Sequence, residues 1–234
     1  MSWRRWLVAA YIIALHLVVL ALIAQHFLAR PAPSAAVLGP AADQYGDVAR
    51  AQQLAGAMAF VGDSRVRLLA TSNAADRSEN FGVNGEDLAA LAARLRTMDL
   101  TGAQAIVLES GANDWRTVRL TNFPVRYAAV LAALPAKPII AAAILPVNPV
   151  QVSRYYAGRF DWSGSETPIA AANAEIARQC AARPGCVFLP VPPPLISGAD
   201  LNPAYSIDGV HLNPAGAAIW AASIRQVVSR LPKT

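Results

Sequence analysis

The stretch Met58-Ala59-Phe60-Val61-Gly62-Asp63-Ser64 decides how this chain is read. A short apolar run stops at a small residue followed by two polar ones. That pattern is a buried strand handing the chain to a tight turn. A helix is expected over residues 65–71, so Ser64 stands at a helix N-terminus. There the helix dipole and free backbone N–H groups favour a developing anion. The same triplet also reads as a plain helix cap made by Asp63 or Ser64.

Outward from this point, strands and helices alternate. Apolar runs at residues 80–83, 105–108, 138–145 and 187–191 read as four more strands. Residues 86–98 form an amphipathic helix with Leu88, Leu91, Ala92 and Leu95 on one face. Helices are expected at 124–134, 167–182 and 213–231, each with a proline in its first turn. A shorter one is expected around 47–55. Residues 147–165 and 192–206 read as loops. The alternation implies parallel βαβ units and an α/β fold, a three-layer α/β/α sandwich on a mainly parallel five-stranded sheet. In such sheets ligands gather at the carboxyl ends of the strands.

Three further segments after strands, or before the last helix, are rich in polar residues. They are Asn80-Phe81-Gly82-Val83-Asn84-Gly85, Gly111-Ala112-Asn113-Asp114 and Asp208-Gly209-Val210-His211-Leu212-Asn213. Glycines in the first can bring backbone N–H groups close to a ligand, or simply make a turn. Asn113 can donate to an oxyanion or close an Asx turn. Asp208 and His211 form either a capped loop or an orienting carboxylate beside a general base. The histidine count narrows the choice. Of His16, His26 and His211, only His211 lies outside the N-terminal apolar segment, and serine catalysis needs a base that titrates near neutrality.

Residues 6–29 contain no Asp, Glu, Lys or Arg. At ~1.5 Å per residue they would span about 36 Å as a helix, enough to cross a bilayer. Arg4 and Arg5 precede them, so the N-terminus is expected inside and the remainder outside the cytoplasmic membrane, in the periplasm or extracellular space. A cleaved signal peptide is the alternative, although the run exceeds an ordinary signal and no clean cleavage site follows it. The expected division is a transmembrane anchor at 1–29, a Pro/Ala-rich tether at 30–45 and a globular domain at 46–234. The net charge is +5, and setting aside Arg4, Arg5 and Arg30 leaves 17 basic against 15 acidic residues. Basic residues are not clustered with aromatics, which argues against nucleic acid as a partner. Cys180 and Cys186 flank a Pro-Gly turn and are expected to form a disulfide in an oxidising compartment. With one histidine outside the apolar segment and two adjacent cysteines, no metal site is expected, nor any cofactor.

Together the four polar blocks resemble those of the SGNH hydrolase superfamily, which includes GDSL-type lipases and esterases. Its blocks contribute Ser, Gly, Asn and His in that order. They correspond here to Phe60-Val61-Gly62-Asp63-Ser64, to the segment ending in Gly85, to Gly111-Ala112-Asn113-Asp114, and to Asp208-Gly209-Val210-His211. The resemblance covers residues 58–228 and implies a flavodoxin-like sandwich. Ser64 is the implied nucleophile, His211 the base and Asp208 its orienting acid. Ser64, Gly85 and Asn113 are the implied oxyanion donors. Arg65 stands where the family pattern has Leu, and Glu86 where many members have Asp. Arg65, Asp114, Tyr155 and Tyr156 are candidate substrate contacts. For Arg65 the choice lies between a carboxylate or phosphate on substrate and a salt bridge to a nearby acid. The implied activity is an esterase removing small acyl groups such as acetyl from an envelope carbohydrate. The alternatives are an O-acyltransferase working with a membrane O-acyltransferase partner, or a non-catalytic membrane-tethered scaffold.

Overall fold

The computed structural model describes residues 50–231 together with Trp3 and His16. The chain divides into two compact units, Met1–Pro40 and Ala41–Thr234. The expected anchor, apart from Trp3 and His16, and the tether lie outside the described residues, as do residues 47–49 of the helix expected at 47–55; of its remainder only residues 50 and 51 are helical. Among the described residues, no helix is long and apolar enough to cross a membrane.

Five parallel strands form the sheet: β1 (Met58–Gly62), β2 (Ser78–Gly82), β3 (Ala105–Glu109), β4 (Ile139–Ala142) and β5 (Cys186–Leu189). Their order across the sheet is β2-β1-β3-β4-β5. The strand order reverses between β1 and β3, which opens a crevice beyond their carboxyl ends. Alternate side chains feed two separate cores. Ala59, Val61, Ile106, Leu108, Ile139 and Ala141 face one layer. Met58, Phe60, Ala105, Val107, Ile140 and Ala142 face the other. Both faces of β1, β3 and β4 are covered, so these strands read as near-continuous apolar runs without polar alternation.

The helices are α1 (Ser64–Arg67), α2 (Leu88–Leu95), α3 (Ala112–Val118), α4 (Phe123–Ala133), α5 (Pro149–Tyr155), α6 (Glu166–Ala181) and α7 (Pro214–Val228). Leu91 of α2, Val130 of α4 and Ile176 of α6 fill the first core. Trp220, Ala221 and Ile224 of α7 fill the second. A two-stranded antiparallel ribbon, β6 (Ile196–Ser197) and β7 (Asp200–Leu201), lies inside the segment read as loop. Cys180 and Cys186 are disulfide-bonded, with Cα atoms 5.2 Å apart, tying the end of α6 to β5.

Two further expectations are corrected. Residues 147–165 are not wholly irregular, because Pro149–Tyr155 is helical, capped by Asn148 accepting from the Gln151 N–H at 2.9 Å. Proline at the first helical turn and asparagine before it are start signals that the absence of an apolar stripe obscured. The fourth strand is also shorter than the apolar run 138–145, ending at Ala142. Beyond it the Asn173 side chain takes over the pairing, accepting from the Ile144 N–H at 2.7 Å and donating to the Ile144 carbonyl at 2.9 Å.

Candidate active site

Gly62 closes β1 with its Cα pressed against β3. A Cβ there would lie 1.8 Å from the Glu109 carbonyl oxygen, so only glycine fits this end of the strand. Asp63 follows as the N-cap of α1, its carboxylate accepting from the Arg65 N–H at 2.9 Å. Ser64 is thereby the first residue of α1. The capping reading and the anion-site reading of this triplet hold together.

His211 comes from a loop 147 positions away, with its Nε2 2.9 Å from Ser64 Oγ. Its Nδ1 lies 2.6 Å from Asp208 Oδ2. An ionised carboxylate only accepts, so Nδ1 carries the proton and Nε2 is left as the acceptor for the Ser64 hydroxyl. Asp208 is buried and richly bonded. Its Oδ1 accepts from the Val210 and His211 N–H groups, both at 2.8 Å, and its Oδ2 also accepts from the Tyr156 hydroxyl at 2.6 Å. Burial alone would raise the Asp208 pKa. The bonds from His211, its charge and the Tyr156 hydroxyl outweigh burial and hold the carboxyl below the usual range. Tyr156 is pushed up, by burial and then by Asp208, so it stays a protonated donor.

Gly85 and Asn113 line one cavity of about 350 Å³. Asn113 Nδ2 donates to the Glu86 carbonyl at 3.1 Å and to Asp63 Oδ2 at 3.3 Å, which sets it beside the residue preceding Ser64. The loop bearing Gly85 is held from behind by Glu86. Its carboxylate receives Arg94 Nε and Nη2, each at 2.7 Å, in a buried bidentate pair.

Three candidate contacts find other roles. Of the two readings of Arg65, the structure bears out the contact with a nearby acid and not one with substrate. Its side chain is 1% exposed, and its guanidinium serves Glu109 at 3.4 Å and the carbonyls of Leu145 and Val210 at 2.8 and 3.1 Å. Asp114 is likewise fully buried, accepting from the Leu88 N–H at 2.9 Å and from Arg126 Nε at 2.7 Å. Burial raises its pKa despite those donors. Tyr156 holds Asp208, whereas Tyr155 is 40% exposed and stacks edge-on against it. Of the aromatic segment that follows, Phe160 lines the cavity, while Trp162 is buried in the first core.

Sequence reasoning missed Glu109 and Arg94. Glu109 is buried under the site beside Asp63. Burial first, then repulsion from Asp63, push its carboxyl up to about 8 against the lowering influence of Arg65. It therefore holds a proton at neutral pH. One guanidinium faces two buried carboxyls, and that imbalance is what keeps one of them neutral. A glutamate closing an otherwise apolar strand was the available signal.

A hydrogen-bonded serine, histidine and aspartate at the switch point of a parallel sheet define a class, that of acylhydrolases and acyltransferases. The chain belongs to the GDSL-like lipase/acylhydrolase family, whose model matches residues 55–219, and it is an enzyme: an ester hydrolase or an O-acyltransferase. No curated protein sequence is significantly similar to it. Solved structures share the fold. A candidate platelet activating factor from Streptococcus pneumonia aligns with TM-score 0.67 at 22% identity, over 80% of this chain and 92% of that one. A GDSL-like lipase from Bacteroides thetaiotaomicron aligns with TM-score 0.63 at 18% identity, over 80% and 98%. The C-terminal catalytic domain of peptidoglycan O-acetyltransferase A from Streptococcus pneumoniae aligns with TM-score 0.54 at 15% identity, over 75% and 94%.

Proposed function

We propose that this protein is an esterase that removes small acyl groups, acetyl foremost, from a carbohydrate outside the cytoplasmic membrane, with residues 6–29 as its anchor. The observation that carries the chemistry is the unbroken hydrogen-bonded chain from Ser64 through His211 to Asp208. In this reading His211 Nε2 takes the Ser64 proton as Oγ attacks the ester carbonyl carbon. The carbonyl electrons move onto oxygen, and the resulting anion is met by N–H groups of Ser64 and Gly85 and by the Asn113 amide. The Asn113 bond to Asp63, long at 3.3 Å, is the one that yields to such an anion. Asp208 stabilises the imidazolium. The imidazolium then protonates the departing alkoxide, leaving acyl-Ser64. Water, deprotonated by His211, releases the acid and restores the serine.

A second reading sends the same acyl group to a sugar hydroxyl, with a membrane O-acyltransferase as acyl supplier. The likeness in fold to a peptidoglycan O-acetyltransferase catalytic domain favours keeping it. The anchor at residues 6–29 suits either reading, because both place the site beside envelope sugars.

The test is to incubate the full-length protein in detergent with esters of graded acyl length, with and without oligosaccharide acceptors. Free acid alone supports the esterase, and acylated acceptor supports the transferase. Ser64→Ala is expected to abolish turnover and fluorophosphonate labelling. Labelling that persists in that variant would remove Ser64 from the reaction.

A further inference from the structure

The cavity that holds Gly85 and Asn113 continues onto three arginines, Arg116, Arg119 and Arg159. All three are exposed. Among the described residues, the one acid on its wall, Asp161, is already engaged. Its Oδ1 accepts from the Ser163 N–H at 3.0 Å, and its Oδ2 lies 3.5 Å from Arg119 Nη2. Arg116 and Arg159 have no carboxylate partner among the described residues. The wall of this cavity therefore carries an excess of positive charge.

Two of the three guanidinium groups are also held in place. Arg116 lies over the Phe160 ring with its Cζ 4.5 Å from the ring centre, and Arg119 lies over Trp115 at 4.6 Å. Stacking on an aromatic face leaves the in-plane N–H fork free, which is the geometry that matches a planar carboxylate or a phosphate. Arg116 follows Asn113 by three positions on α3, so the two side chains share a helix face. An anion on Arg116 would thus sit about one helical turn from the proposed oxyanion donor. Cavity, preordered cations and proximity to Asn113 converge on one ligand chemistry.

We propose that this cavity is a subsite for an anionic group, a carboxylate or a phosphate, carried by the sugar whose ester is cleaved. The inference rests on the esterase reading above and narrows its substrate to an acidic carbohydrate. Arg116 and Arg159 face this cavity, where Arg65 faces Glu109.

The test compares three acetate esters with the full-length protein: an O-acetylated oligogalacturonide, an O-acetylated xylo-oligosaccharide and an O-acetylated glucose 6-phosphate. The ratio of kcat/KM on the anionic to the neutral ester is expected to fall by about tenfold or more in Arg116→Gln/Arg159→Gln, since each arginine supplies charge-assisted hydrogen bonds. Raising salt toward 1 M should erode the wild-type ratio in the same direction. A fall confined to the galacturonide assigns a carboxylate, and one confined to the phosphorylated ester assigns a phosphate. An unchanged ratio overturns the subsite. Calorimetric binding of the galacturonide and of glucose 6-phosphate to Ser64→Ala makes the test independent of turnover. If no ester is turned over, binding that weakens when the two arginines are replaced still upholds the subsite while the esterase reading fails. Binding of both anions that is indifferent to them overturns it.

Discussion

Tyr156 and Asp208 meet across 52 positions of sequence, and their 2.6 Å contact adds a donor to the carboxylate that holds His211. Removing the phenol leaves that carboxylate less satisfied and so a stronger partner for protonated His211. In Tyr156→Phe, kcat is expected to fall roughly threefold to tenfold with little change in KM, a fraction of the ~1.5–3 kcal/mol typical of a hydrogen bond to a charged group. A residue serving only to fill space would lower the melting temperature and leave kcat of the folded variant where it was. The identity of the histidine was readable from sequence because one histidine lies outside the N-terminal apolar run. The tyrosine stood out only as a candidate substrate contact, since nothing local marks which hydroxyl will reach Asp208.

The helix Pro149–Tyr155 and the loop that bears His211 are bound to each other through backbone. The Asn148 N–H donates to the Gly209 carbonyl at 2.8 Å, and the Asn148 side chain donates to the Leu201 carbonyl at 3.2 Å. Gly209 has φ +91°, and a Cβ there would lie 2.6 Å from the Asn148 carbonyl oxygen and 2.8 Å from the Val152 nitrogen. Both obstacles are backbone, so they cannot swing aside. Gly209→Ala is expected to lower stability by about 1–3 kcal/mol and to slow fluorophosphonate labelling of Ser64 at least tenfold, since small misplacements of a base are costly. A denaturant melt and a labelling time course on the folded variant check the two effects. Labelling at the wild-type rate would show that this junction does not position His211. Helix starts were legible wherever proline or a capping residue preceded an apolar stripe. The junction itself was not, because the pairing of two loops depends on where the sheet delivers them.

For the molecule as a whole, the buried trio of Asp63, Arg65 and Glu109 ties stability to pH. The Glu109 carboxyl has an ordinary value of 4.5 and stands at about 8 in the fold. Its contribution is complete below the ordinary value and is lost as pH rises through about 8, because the unfolded chain gives up the proton first. Asp208 acts in the opposite sense. Its carboxyl is held below 3.8, so its contribution is present above that value and fades as pH falls. Glu109→Gln keeps a neutral group able to accept from Arg65 and to donate toward Asp63. The melting temperature of the variant relative to wild type is expected to climb between pH 5 and pH 8, by at least about 2–4 °C, which corresponds to ~1 kcal/mol in a domain of this size. Parallel melting curves across that range would contradict a neutral Glu109.

Local patterning in the chain was enough to set the alternation of apolar runs and helices, the polar blocks that follow the strands, the Cys180–Cys186 pair and the uniqueness of His211 outside the apolar segment. These are local properties, fixed by the side-chain period and by turn residues. The tertiary structure alone decided which charged side chains face a ligand. Arg65 looked available beside Ser64, yet it reaches the Leu145 carbonyl 80 positions on and is buried against Asp63 and Glu109. Arg116 looked unremarkable, yet it stacks on Phe160 at the cavity wall. Whether a cation is buried against a carboxylate or held open to solvent depends on which distant segments pack against it, and that follows from the order of strands in the sheet.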